Sequence, residues 1–228
     1  LKFIKPGVWE YEIEAELIHE FLRNRSKGFA YTPIVASGAN ACVLHYIENN
    51  QQCKSGDVIL LDVGAEYANY ASDLTRCIPV NGRFTDRQKA VYNSVLHVKT
   101  EAEKLLVPGT LMNEYHKEVG ALMEAELLKL KLIDQTDIKN QSKDWPAYKK
   151  YFMHGTAHHI GLDVHDVGLY SRPFESGMIL TCEPGIYIPE EGIGCRLEND
   201  YLITEKGNIN LTEAMPIEIE DIERDLGI

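Results

Sequence analysis

The chain lacks most of what a membrane, secreted or nucleic-acid-binding protein requires. No run of eighteen apolar residues occurs in its 228 residues, and a membrane-spanning helix would need one. The N-terminal stretch LKFIKPGVWEYEIEAEL turns charged too early for a secretory signal. Basic residues are in deficit, 23 Lys and Arg against 35 Asp and Glu, for a formal net charge of −12. They are scattered rather than gathered in a stripe, so the cationic footprint of a nucleic-acid binder is absent. The five cysteines (Cys42, Cys53, Cys77, Cys182, Cys195) are odd in number and form no CxxC. That suits reduced, buried thiols and disfavours a structural zinc site. The expectation is a cytoplasmic protein with neither a membrane nor a nucleic acid as partner.

What is present is a pattern of alternating element types. WEYEIEAELIHEFL (9 to 22) places Trp9, Ile13, Leu17 and Phe21 at helical spacing, with Ile18 and Leu22 beside them, against a glutamate-rich face. YTPIVASG, ACVLHY and DVILLDVG read as strands, the last introduced by the turn KSGD. EYANYASDLTRCIPV reads as a further strand closed by Asn81-Gly82. Thr85 and Gln88 have capping-box spacing before a helix carried by Val91, Val95, Val98, Ala102 and Leu105. A second helix is predicted from about Leu111 to Leu130. Residues 133 to 150 have no apolar period and read as a surface excursion. GMILTCEPGIYI and GCRLENDYLIT return to strand, and a short acidic tail follows. With no low-complexity linker, one α/β domain over residues 1 to 228 is the economical reading. A duplicated substructure stays open, because self-similarity is too faint to see.

Carboxylates in apolar surroundings need a partner or a metal, because an unpaired buried charge is costly. Asp62 ends VILLD, Asp73 lies in YASDLTR, Glu183 interrupts MILTCEPGIYI and Glu198 sits in GCRLEND. Any one of them alone reads as a turn or cap residue. Four histidines (His154, His158, His159, His165), half of the chain's eight, crowd FMHGTAHHIGLDVHD. His154 and His158 have zincin spacing, but the zincin glutamate is missing and Gly155 and Gly161 disfavour a helix. In an extended segment His158 and His159 face opposite ways, so at most one reaches a given metal, and Arg196 and Glu198 share a face. Four carboxylates and one neutral imidazole form an oxygen-rich set that suits Mn, Fe or Co. Its charge of −4 matches two divalent cations, and paired metals activate water for amide hydrolysis.

Taken in order, KPGVWEYEIEAELIHEF, PIVASGANACVLHYIENN, LLDVGAEYANYASDLTRCIPVNGRFTDRQKAVY, FMHGTAHHIGLDVHDVG, TCEPGIYI, GCRLENDYLIT and AMPIEIEDIERDL closely resemble the catalytic domain of the Xaa-Pro aminopeptidase (aminopeptidase P) family. The match runs almost end to end, and its ligand motifs are specific as a set. The resemblance implies the pita-bread α/β fold: two similar halves with curved antiparallel sheets and outer helices. It implies a centre of two divalent ions, usually manganese, with cobalt, iron or zinc as alternatives. It makes Asp62 a ligand of one metal, Asp73 and Glu198 bridging ligands, and His158 and Glu183 ligands of the other, with Glu183 also accepting a proton. His45, His154 and His165 match histidines that line the substrate site and assist catalysis. Arg196 matches an arginine behind the ligands, Tyr187 a cleft residue, and His159 a position for packing. Departures are Ala157, where Ser or Gly is usual, and Asn199, where an Asp often follows the ligand Glu. Full-length relatives also carry an N-terminal domain, whereas this chain begins at the first catalytic-domain helix, so a truncated form is expected, with oligomerisation belonging to the full-length form.

The implied activity is that of a metalloaminopeptidase, a hydrolase releasing the first residue from peptides with proline second. Prolidase, restricted to dipeptides, is the close alternative, and methionine aminopeptidase a more distant one. A non-catalytic binding module of the same fold is a different class of reading, and metal-free creatinase-like hydrolysis a weaker one. The presence of all five ligands argues against the binding module.

Overall fold

The structure, a computed structural model, describes residues 2–227. Helix α1 (Glu10–Arg23) opens the fold. The strands β1 (Gly28–Phe29), β2 (Ile34–Ser37), β3 (Val58–Asp62), β4 (Ala65–Glu66) and β5 (Thr75–Pro79) follow, then helices α2 (Asp86–Glu103), α3 (Met112–Lys129) and α4 (Gln135–Asn140). The second half holds β6 (Ile179–Cys182), β7 (Gly185–Ile188), β8 (Ile193–Arg196), β9 (Asn199–Thr204), β10 (Gly207–Asn210) and helix α5 (Ile219–Asp225).

Each half is built on a three-stranded antiparallel sheet, ordered β2-β3-β5 in the first and β10-β9-β6 in the second. The registers correspond. Asp62, closing β3, pairs with Thr75, which opens β5, and Cys182, closing β6, pairs with Asn199, which opens β9. A carboxylate therefore stands at or beside each of these four strand ends: Asp62, Asp73, Glu183 and Glu198. The ends of the two sheets are tied together where the Glu198 N–H donates to the Thr75 carbonyl at 3.1 Å. The duplication that the sequence conceals is thus visible in strand register.

Helices α2 and α3 pack on each other, α2 also lies against β6, β7 and β8, and both owe their position to apolar stripes. Thr85 and Gln88 form the capping box, with 3.2 Å from the Gln88 N–H to Thr85 Oγ1 and 2.8 Å from the Thr85 N–H to Gln88 Oε1. Val91, Val95, Val98 and Ala102 of α2 are buried, as are Tyr115, Val119, Met123 and Leu127 of α3. Complete burial of each large apolar side chain stabilises the fold by about 1.5–3 kcal/mol before entropy is counted. All five cysteines are free, and all but Cys42 are buried.

Several expectations need correction. ACVLHY is not a strand: a 3₁₀ turn covers Gly38–Cys42 and an irregular loop follows. The cause is remote in sequence. Glu10, fully buried, accepts hydrogen bonds from the Ser37 N–H (2.8 Å), Asn40 Nδ2 (3.1 Å), Tyr46 Oη (2.7 Å) and the Gln51 N–H (2.9 Å). This coils the segment around one carboxylate. Glu10→Ala strands those donors, and at about 1–3 kcal/mol for each buried group left unsatisfied, a loss of about 3 kcal/mol or more is expected. For a chain of this size that is a fall of about 6–12 °C in the unfolding midpoint, measurable by calorimetry; a shift under about 2 °C would contradict the role.

EYANYASDLTRCIPV is not one strand either. It breaks at a turn where Ala68 and Asn69 take φ of 53° and 64° and Tyr67 and Tyr70 exchange two 3.0 Å hydrogen bonds. Gly64 lets this loop fold back, since a Cβ there would lie 1.7 Å from the Ser72 carbonyl oxygen. Pro184 divides GMILTCEPGIYI into two strands, and GCRLENDYLIT divides at Leu197-Glu198. The excursion from 133 to 150 contains the short helix α4, capped by Asp134, whose Oδ1 accepts from the N–H groups of Thr136 (2.6 Å) and Asp137 (2.9 Å). The acidic tail carries α5, which buries Ile219 and Ile222.

Candidate metal centre

Asp62, Asp73, His158, Glu183 and Glu198 all line one cavity of about 550 Å³, together with His45, His154, His165 and Arg196. Asp73, His158 and Glu198 each offer a ligand atom within 4.8 Å of the others. His158 Nε2 lies 3.5 Å from Asp73 Oδ2 and 3.7 Å from Glu183 Oε1. Its Nδ1 sits 3.0 Å from the His159 carbonyl, which makes Nδ1–H the donor there and turns Nε2 to the carboxylates. The segment runs antiparallel to β6: the Thr181 N–H donates to the His158 carbonyl at 3.1 Å, and His159 bridges Leu180. As the extended geometry requires, His159 faces the other way, where its ring packs near Tyr170 at 5.7 Å.

The first half contributes a hydroxyl clamp. Tyr31 Oη lies 2.5 Å from both Asp62 Oδ1 and Asp73 Oδ1, so one phenolic proton serves two carboxylates. Arg196 Nη2 donates to Asp62 Oδ2 at 2.5 Å, Nη1 to Tyr187 Oη at 2.7 Å and Nε to Thr75 Oγ1 at 3.2 Å. Thr75 in turn donates to Glu198 Oε2 at 2.6 Å.

Burial pushes the Glu183 carboxyl up to about 8, against the opposing charges of His158 and Arg196. It also raises Asp62 and lifts Glu198 well above the carboxylate range. At His158 burial works downward, but the Asp73 and Glu183 carboxylates outweigh it and push the imidazole up to about 9. Four carboxylates therefore face one another in a space where the fixed cation is Arg196.

Two atoms bear directly on whether this set fits a metal. Glu198 Oε1 and Asp200 Oδ1 are buried with no hydrogen-bond partner. An orphaned, dehydrated carboxylate oxygen beside three more carboxylates and an imidazole nitrogen is the donor chemistry of a hard or borderline divalent cation. The residues fit a divalent cation.

The remaining expected residues take different stations. His165 is exposed and stacks on His158, ring centroids 4.0 Å apart. His45 is exposed on the loop held by Glu10. His154 Nδ1 lies 2.7 Å from the Gly155 carbonyl and Nε2 2.7 Å from Tyr187 Oη, so Nδ1–H donates and Nε2 accepts. Burial and the neighbouring Arg196 depress its pKa to about 3 and keep it neutral. Tyr187 is fully buried behind the cavity wall, joining His154 to Arg196.

Sequence reasoning did not single out Tyr31, Thr75 or Asp200. Period two carried one step further would have found two of them, Thr75 after Asp73 and Asp200 after Glu198. Asn199, where an acidic residue was expected, points elsewhere: its Oδ1 accepts from Arg76 Nη2 at 3.2 Å and its Nδ2 donates to Asn210 Oδ1 at 3.1 Å. Asp200 is the carboxylate that meets the cluster, with Oδ2 accepting from the Asp73 N–H at 3.0 Å. Asp200→Ala is expected to weaken metal binding about 10- to 100-fold, as losses behind a ligand do. Chelator competition would measure it, and an unchanged affinity would remove Asp200 from the site.

A model of metallopeptidase family M24 matches residues 1–205. The chain is 44% identical over 234 aligned residues to the Xaa-Pro aminopeptidase of Haemophilus influenzae, covering 96% of this chain and 53% of that protein. It superposes on proline aminopeptidase P II from Yersinia pestis with a TM-score of 0.92 and 41% identity, over 99% of this chain and 54% of that one. Zn-substituted E. coli aminopeptidase P in complex with product matches with the same TM-score at 42% identity, over 99% of this chain and 53% of that one. The chain thus spans about half the length of the curated relatives it matches. Its antiparallel sheets, paired halves and outer helices are the pita-bread fold of these aminopeptidase P structures. With the family match running over most of its length, the chain belongs to metallopeptidase family M24.

Proposed function

We propose that this chain is the catalytic domain of a cytoplasmic Xaa-Pro aminopeptidase that uses two divalent metal ions, manganese in the first instance, to release the first residue of peptides with proline second. The observation that carries the reading is the convergence of Asp62, Asp73, His158, Glu183 and Glu198 on one cavity, with Glu198 Oε1 left without a protein partner. Similarity to named Xaa-Pro aminopeptidases supports the substrate class.

In this reading Asp62, Asp73, His158, Glu183 and Glu198 would hold the two ions between them. Bound there, the ions polarise the scissile carbonyl and lower the pKa of water. The protein's own groups do the rest. Glu183 accepts the proton of the attacking water and returns it to the departing nitrogen. Arg196 fixes the orientation of Asp62 and, through the Tyr187 hydroxyl, of neutral His154. His45 and His165, exposed on the cavity rim, face the bound peptide and donate to its carbonyl oxygens. A proline in second place removes the amide N–H from the scissile bond, so recognition falls to shape. Leu44, Ile47, Val164 and Tyr170 supply apolar wall on that side of the cavity.

The metal-loaded protein should release free alanine from Ala-Pro-Ala and leave acetyl-Ala-Pro-Ala intact. Cleavage of Ala-Pro together with failure on Ala-Pro-Ala would replace this reading with a prolidase.

A further inference from the structure

Beyond the metal cavity, behind His154 and Gly155, lies a second cavity of about 460 Å³, and the two share these residues as a common wall. Its lining is chemically unlike the first. Lys117 from α3 and Lys143 and Lys149 from the segment before FMHG surround it, with Asp144 the one acidic lining residue. Among the described residues none of the three lysines forms an ion pair. The Lys149 ammonium sits over the Trp145 ring at 5.2 Å, a contact that leaves it free to meet an anion. His116 adds a neutral donor: burial lowers its pKa, and its Nδ1 accepts the Thr156 N–H at 3.2 Å, which leaves Nε2–H available.

Three unpaired cations around one concavity stand out in a chain of net charge −12. The overall field repels anions, so a local reversal beside the cleft selects where an anion can settle. Gly155 forms the saddle between the cavities. It is exposed, and even a methyl there would lie 3.3 Å from His116 Cε1, so any side chain would crowd His116 at the rim of the second cavity.

We propose that this second cavity is an anion subsite that receives a side-chain carboxylate from the substrate peptide beyond its proline, so that peptides with acidic residues there are preferred. This rests on the aminopeptidase reading, because a peptide held in the metal cleft is what would present its later side chains to a cavity on the other side of His154 and Gly155.

The test compares Ala-Pro-Ala-Glu-Glu with Ala-Pro-Ala-Gln-Gln, both C-terminally amidated, on metal-loaded protein. At low salt kcat/KM should favour the acidic peptide by about tenfold, through KM, since partly exposed charge pairs contribute modestly and add over three lysines. At about 1 M salt, where the screening length is about 3 Å, the preference should nearly vanish. The triple variant Lys117→Ala, Lys143→Ala, Lys149→Ala should bring the ratio to about one, with an unchanged unfolding midpoint reporting its fold. Equal kcat/KM in the native protein, or a preference that survives the triple variant, would overturn the proposal. If neither peptide is cleaved, the aminopeptidase reading is what fails. Fluorescence of Trp145 in a Trp9→Phe background then decides the subsite alone. Tighter binding of the acidic peptide that disappears in the triple variant supports it, and equal binding of the two peptides refutes it.

Discussion

Glu183→Gln in the metal-loaded protein should lower kcat by about 10²- to 10⁴-fold, the usual contribution of a positioned general base. The substitution keeps the shape and one ligating oxygen of the side chain, and removes the site that takes a proton. Glu183 suits that task by its position: its side chain is partly open to the cavity, and its Oε1 is 3.7 Å from His158 Nε2. No other carboxylate in the cluster is as free to act. Asp62 is engaged by Arg196 and Tyr31, Asp73 by Tyr31, and Glu198 by Thr75. Metal content should therefore persist while turnover is lost, with KM changed much less than kcat. Metal analysis beside steady-state kinetics separates the two effects. A variant that binds metal and keeps kcat within tenfold of the native value would deny Glu183 the role of base.

Binding of metal should change stability as strongly as it changes activity. In the metal-free protein the folded pKa values of Glu183 (about 8, from 4.5) and Asp200 (about 7, from 3.8) are both raised by burial. The folded state therefore keeps protons that the unfolded chain has already released. Their stabilising contribution is complete below about pH 4 and is lost as pH rises to about 8. His158, raised from 6.5 to about 9, acts in the same direction at higher pH. His154, lowered from 6.5 to about 3, acts in the opposite direction, but only below 6.5. Between pH 6.5 and 8 the decline is thus unopposed by His154, and the metal-free protein should lose stability across that window.

Divalent cations replace those protons, so the decline should flatten or reverse when manganese is present. At free metal a thousand times its dissociation constant the gain is about 4 kcal/mol. In a chain of this size that raises the unfolding midpoint by about 8–16 °C. Calorimetry at pH 6.5 and 8, with and without manganese, measures both effects. An unchanged midpoint with manganese, cobalt and zinc alike would remove the metal centre.

The parts of this site that were legible in the sequence were those with local or period-two signatures. The apolar run before Asp62 and the alternation Arg196, Glu198 announced strand ends carrying charge. The adjacency of His158 and His159 already implied a division between an inward and an outward ring, and the pairing with β6 gives it. The illegible parts depend on contacts distant in sequence. The loop bearing His45 has the local pattern of a strand, because the carboxylate that coils it, Glu10, lies 27 to 41 residues away from its partners Ser37 and Gln51. Tyr31 meets Asp62 and Asp73 across separations of 31 and 42 residues, and no spacing rule reaches so far. The likeness of the two halves is hidden for a related reason: their side chains differ, while the pairing of Asp62 with Thr75 and of Cys182 with Asn199 has the same form.

One measurement bears on the whole account. Metal-free protein is titrated with manganese while release of free alanine from Ala-Pro-Ala is followed. Activity should rise from background to a plateau near two ions per chain, and Glu198→Ala, which removes a proposed ligand, should bring it back close to background. Full activity without added metal after exhaustive chelation, or stoichiometric metal binding with no release of alanine, would contradict it.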